Sequence, residues 1–277
     1  MIAGCAIAIG GTPTVGSLLE FAETGTVHVS LRVNADLSLS VLRGTSTVLG
    51  TSAAGVLSTS GFSFLEFKST IHDTTGAYEV RVNGANVLSA SGVDTRNGAA
   101  SGVVTTVSFI IERAGQIYED VYICDASGSA NNDFLGDVRV DVYFPNANGN
   151  SSQLTGSDGN STDNYLLVDE TPPNDDTDYV QSATVGQKDT YGMQDMAHTP
   201  ATINGVQVVI NAKKDDSGTR SVAAVTRSGG SDTDGSSQAL STSYAYYREI
   251  TATDPNTSAA WTKTGFNAVE LGMKVSA

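Results

Sequence analysis

Apolar and polar residues alternate one by one through most of this chain, and a side-chain period of two is the signature of a half-buried β-strand. Val27, Val29, Leu31 and Val33 alternate with His28, Ser30 and Arg32. Leu37, Leu39 and Val41 resume the pattern after Asn34-Ala35-Asp36, which predicts a hairpin. Residues 62–71 form an aromatic-rich run with Glu66 and Lys68 on its polar side. Tyr78, Val80 and Val82 lead into Asn83-Gly84, a pair suited to the two positive-φ positions of a type I′ turn, so Val87-Leu88 should pair back on that strand. Strands are also expected over Ala6–Ile9, over 103–111, at Val121-Tyr122-Ile123, and over Val138, Val140, Val142 and Phe144, the last stopping at Pro145. Helical periodicity is almost absent. Strands at this spacing, punctuated by Gly, Asn, Asp and Ser, predict an antiparallel sandwich.

The pattern changes after Pro145. Residues 146–164 are nearly all turn formers, and Thr171-Pro172-Pro173-Asn174-Asp175-Asp176 reads as a stiff acidic bend. The expected organisation is therefore a β domain over 1–145, an acidic Pro/Gly/Asn-rich junction over 146–178, and a smaller β domain over 179–277. In that last domain Val206, Val208 and Ile210 alternate, with Val222–Thr226 expected to return beside them. Residues 228–237 read as an exposed loop, Tyr244, Tyr246 and Tyr247 as an aromatic strand, and Val269–Val275 as the closing strand.

Charge limits the partners. Of 277 residues only 16% are charged, against about a quarter in an average domain, and the formal net charge is −15. With no basic cluster to neutralise phosphates, nucleic-acid binding is not expected, and no apolar run reaches the roughly 20 residues of a membrane span. Cys5 and Cys124 define no disulfide framework, and their spacing does not say whether they meet. Ile2-Ala3-Gly4-Cys5 resembles a lipoprotein cleavage box but has no basic and apolar leader before it, so no export signal is expected.

Catalytic motifs are sparse. His28, His72 and His198 stand at no ligand spacing and read as solvated or singly bonded imidazoles. No G-x-S-x-G, P-loop or G-x-G-x-x-G occurs. Glycoside hydrolysis needs two facing carboxyls, one of them protonated; Glu119-Asp120 places its carboxylates on opposite faces of a strand, and Asp137/Asp141 are flanked by few aromatic residues. No catalytic residue is therefore assigned. If the chain binds sugar, Tyr244, Tyr246, Tyr247 and Trp261 are the stacking candidates, with filling of a second core as their alternative role. Asp125 and Asp133 in one oxygen-rich stretch, and Asp175, Asp176 and Asp178 in another, are candidate ligands for Ca²⁺, although neither stretch follows an EF-hand spacing. No other cofactor is expected.

The first half also carries a family likeness. Phe64-Leu65-Glu66-Phe67-Lys68, then Gly76-Ala77-Tyr78-Glu79-Val80-Arg81-Val82-Asn83-Gly84, resembles the laminin-G/concanavalin A-like jelly roll. Gly92-Val93-Asp94-Thr95-Arg96, residues 118–123 and residues 132–137 continue the likeness. With Val168–Pro173, Asp176–Val180 and the closing Trp261 and Asn267–Val275, the series resembles virion-associated proteins of tailed bacteriophages. The resemblance implies a LamG-like jelly roll followed by a smaller β-sandwich. It also implies a non-enzymatic virion component, a tail- or capsid-attached appendage or decoration, assembled in the host cytoplasm. Expected partners are other virion proteins, further copies of the chain (a trimer fits the setting) and host-surface glycan. A bacterial carbohydrate-binding module is the alternative, and a glycan hydrolase a more distant one.

Overall fold

In the computed structural model, which describes residues 1–11, 14–98 and 101–277, the chain is all-β with antiparallel sheets, and it divides into two compact units, Met1–Asp141 and Val142–Ala277. The first unit contains β1 (Ile2–Ala8), β2 (Gly16–Glu23), β3 (Thr26–Val33), β4 (Leu39–Arg43), β5 (Thr47–Thr51), β6 (Phe62–Thr70), β7 (Gly76–Val82), β8 (Ala85–Val93), β9 (Thr106–Phe109) and β10 (Ile117–Cys124). They form two five-stranded sheets, ordered β10-β1-β6-β7-β8 and β5-β4-β3-β2-β9.

Alternation decides which side chains lie between these sheets. Cys5 and Ile7 of β1, Leu65 and Phe67 of β6, and Val80 of β7 meet Phe21 of β2, Val29 and Leu31 of β3, and Val41 of β4 in one core. Phe21 and Phe67 stack across it with ring centroids 4.9 Å apart. The β7–β8 hairpin closes as expected: Asn83 and Gly84 have φ of 50° and 78°, Val82 pairs with Ala85, and Val80 pairs with Leu88. At Gly4 an added Cβ would lie 2.1 Å from the Tyr122 ring, so only glycine lets that ring lie across β1. Tyr122 then donates from its hydroxyl to Glu66, which is buried and also accepts from the Gly136 N–H.

Two expectations for this unit need correction. His28 is buried, not solvated: its Nδ1 accepts the Asn97 N–H at 3.2 Å, which leaves Nε2 to face Glu23 at 3.2 Å. Residues 138–144 form no strand. Alternation supplies only the propensity, whereas a ladder needs a partner edge. Here β10 is bulged, with Asp120 at φ 51°, and the Asp120 carboxylate takes the Val140 N–H at 2.8 Å.

The second unit contains β11 (Pro145–Ser152), β12 (Thr155–Gly156), β13 (Val180–Gln181), β14 (Lys188–Met193), β15 (Val206–Ala212), β16 (Ser221–Ser228), β17 (Ser231–Asp234), β18 (Gln238–Ala239), β19 (Ala245–Thr251), β20 (Thr253–Asp254), β21 (Ala259–Ala260), the short helix α1 (Lys263–Asn267) and β22 (Glu270–Val275). Its main sheet runs β11-β14-β22-β16-β17, with β18 beside β16, while β15 and β19 form a separate ribbon.

Residues 146–178, expected as a passage between domains, instead begin with a strand of this unit's sheet. β11 pairs with β14, and its turn-forming residues are held extended by side chains distant in sequence. Thr190 Oγ1 accepts the Ser151 N–H at 3.1 Å, and Glu270 accepts the Asn150 N–H at 2.6 Å. Just beyond, the buried Asp189 carboxylate accepts the Gln153 and Leu154 N–H groups at 2.5 and 2.8 Å, the Asn164 amide at 2.6 Å and the Tyr191 hydroxyl at 3.0 Å. Four donors on one carboxylate hold a segment that has little apolar surface to bury.

Two further pairings differ from expectation. Val222–Thr226 lies against β22, leaving β15 to β19. Residues 231–234 form β17, because Gly229 and Gly230, both at positive φ, turn the chain back on β16.

Candidate functional site

The β15–β19 ribbon gathers part of the aromatic set noted in the sequence. Its register pairs Gln207 with Ile250, Val209 with Arg248, Ile210 with Tyr247 and Asn211 with Tyr246. Because neighbours on a strand point to opposite faces, the ribbon has two unlike sides. Val206, Ile210 and Tyr247 face inward and are buried. Gln207, Val209 and Asn211 share the outer side with Tyr246, Arg248 and Ile250, and Val209, Tyr246 and Ile250 are 49%, 52% and 63% exposed.

The row continues one pair further. Lys213 Nζ lies 4.6 Å from the Tyr244 ring centroid and bonds Asp176 at 2.6 Å, and Tyr244 donates its hydroxyl to Asp176 at 3.0 Å. Lys213 and Tyr244 hold the Asp176 carboxyl below the usual aspartate range. Burial, with Asp176 beside it, pushes the Tyr244 phenol up to about 12. Asn211 donates to Asp175 at 3.1 Å.

Of the four proposed stacking residues, then, Tyr244 and Tyr246 lie on one outer face. Tyr247 and Trp261 offer no surface for a sugar and are corrected to core residues. Tyr247 is 9% exposed and gives its hydroxyl to the Ser241 N–H as acceptor, while Trp261 is 3% exposed and donates Nε1–H to the Thr251 carbonyl at 3.0 Å. The adjacency of Tyr246 and Tyr247 already implied opposite faces. Lys213, Asn211 and Arg248 were missed because their place depends on a pairing across more than thirty residues.

The proposed calcium ligands are occupied separately. Asp125 accepts the Ser127 N–H and hydroxyl, and Asp133 accepts from Lys68 at 2.9 Å and from the Phe134 N–H at 2.8 Å. Asp178 accepts the Asn174 amide at 2.8 Å. Among the described residues, no three His, Cys, Asp or Glu side chains converge as a cation cage.

Both cysteines are free thiols. Cys5 is buried and its pKa is pushed up to about 12 by that burial. Cys124 pairs in register with Ile2, three residues along β1 from Cys5.

A concavity of about 860 Å³ opens between residues 118–121 of β10 and residues 137–141. It carries Glu119, Asp120, Asp137 and Asp141. Asp120 is engaged by the Val140 N–H, and Asp141 by Arg139 at 2.6 Å.

Comparison of the chain with protein-family models, curated proteins and solved structures finds no match.

Proposed function

We propose that this protein is a non-enzymatic structural component of a tailed-bacteriophage virion, an appendage or decoration on tail or capsid that also engages host-surface glycan. The observation that carries the reading is a pair of β surfaces with apolar side chains facing out. The edge strand β10 exposes Ile117, Val121 and Ile123 at 46%, 39% and 51%, and the β15–β19 ribbon exposes Val209, Tyr246 and Ile250. Apolar rows of this kind suit protein or ligand contacts, and sheet edges suit strand pairing between subunits. The two facing five-stranded sheets of the first unit agree with a LamG-like jelly roll, and the ribbon and sheet of the second with a smaller sandwich. The virion setting comes from the likeness of the ordered series, residues 64–137 with 168–180 and 261–275, to virion-associated proteins of tailed bacteriophages.

The same surfaces would serve a bacterial carbohydrate-binding module, which the exposed Tyr246 favours. Mass spectrometry of gradient-purified phage particles, with immunogold labelling, separates the two. The protein is expected in the particle at a fixed ratio to the major structural proteins. Particles that lack it would overturn the virion reading.

A further inference from the structure

We infer that the outer face of the β15–β19 ribbon binds a carboxylate-bearing sugar, with Tyr246 stacking on the pyranose and Arg248 pairing with its carboxylate. The inference rests on the glycan-binding part of the proposed function and assigns that part to named atoms. Most cationic side chains here stand against a carboxylate, as Lys213 does against Asp176. Arg248 is the exception that matters: it is exposed, and among the described residues it makes no ion pair and its side chain donates no hydrogen bond. In a chain of net charge −15, an exposed guanidinium without a carboxylate partner is a local reversal of sign. It lies 5.5 Å from the Tyr246 ring centroid.

That geometry matches one ligand chemistry. A guanidinium takes a carboxylate through two parallel N–H donors, and an aromatic ring accepts a flat apolar face while its surroundings stay wet. A uronic or sialic acid presents both groups within a single residue. Gln207 adds an amide group on the same face. An acidic peptide fits less well. The ribbon's backbone groups between β15 and β19 are already paired, so this face offers a peptide side chains but no ladder.

Titration calorimetry of the full chain, with uronate and sialate oligosaccharides and their neutral methyl esters, tests the assignment. The acids should bind at least ~10-fold more tightly than the esters, in line with a charge-assisted hydrogen bond. Arg248→Ala should abolish that preference, and Tyr246→Ala should weaken acid and ester alike by about 10-fold. Both side chains are exposed, and unchanged circular dichroism would show that the variants are folded. No binding of any acid, binding unchanged in both variants, or equal binding of poly-glutamate would each overturn the inference. Such a failure leaves the particle composition untouched, so it is distinguishable from failure of the virion reading.

Discussion

The two units are stabilised by different means. Among the described residues, the first buries eighteen apolar side chains in one cluster between facing sheets, whereas the second has clusters of five and four. At roughly 1.5–3 kcal/mol for each large side chain removed from water, burial dominates the first unit. The second relies more on polar satisfaction: Asp189 with its four donors, Thr190 and Glu270 holding β11, and Asp254 accepting from Ser228 at 2.7 Å. A β-unit can therefore be assembled from residues that look like loop, provided carboxylates and hydroxyls occupy the positions its backbone requires.

This contrast can be broken most forcefully at the core of the first unit. Phe67→Ala removes one half of the Phe21 stack and should cost about 3–5 kcal/mol. Peptide-resolved hydrogen exchange should then show lost protection in β2 and β6 while β14 and β22 keep theirs. Equal loss in both units would mean that they do not differ in the way described.

Asp189→Asn is the matching change in the second unit. It keeps the shape but turns an NH₂ toward existing donors, at an expected cost of about 2–3 kcal/mol. Exchange should accelerate at residues 153–167 and in β11, with β1 and β6 unaffected. An unchanged rate at Leu154 would remove Asp189 from the account.

The smallest effect near neutral pH concerns the thiols, both of which lie in the first unit. Burial raises the folded pKa of Cys5 from an ordinary 9.0 to about 12. Its contribution is thus complete below pH 9 and is lost as pH rises toward 12, where the unfolded chain releases a proton that the folded chain retains. Iodoacetamide at pH 8 should modify Cys124 in the native protein and Cys5 only after unfolding. Intact mass and peptide mapping read the outcome, and native labelling of Cys5 would contradict its burial.

What the sequence revealed follows the same division. The β7–β8 hairpin could be read from Val80, Val82 and Asn83-Gly84 because its determinants are local and its partner is adjacent. β11 could not, since Thr190 and Glu270 stand 39 and 120 residues from the groups they hold. Val138, Val140 and Val142 misled in the opposite direction, because propensity without a partner edge makes no strand. At the ribbon, Tyr244, Tyr246 and Tyr247 were legible as an aromatic strand, but which of them face outward was not read from it. Arg248 gained significance only when three-dimensional neighbours showed it without a carboxylate.

β1 lies between β6 and the edge strand β10 in its sheet, so residues 2–8 must wait for partners at 62–68 and 117–124, which are made later. At a synthesis rate of about 5–20 residues per second, several seconds separate β1 from its partner β10. During that interval Ile2, Cys5 and Ile7 have no finished sheet to enter. This sheet consequently closes on β1 only after β10 has been made, more than a hundred residues later.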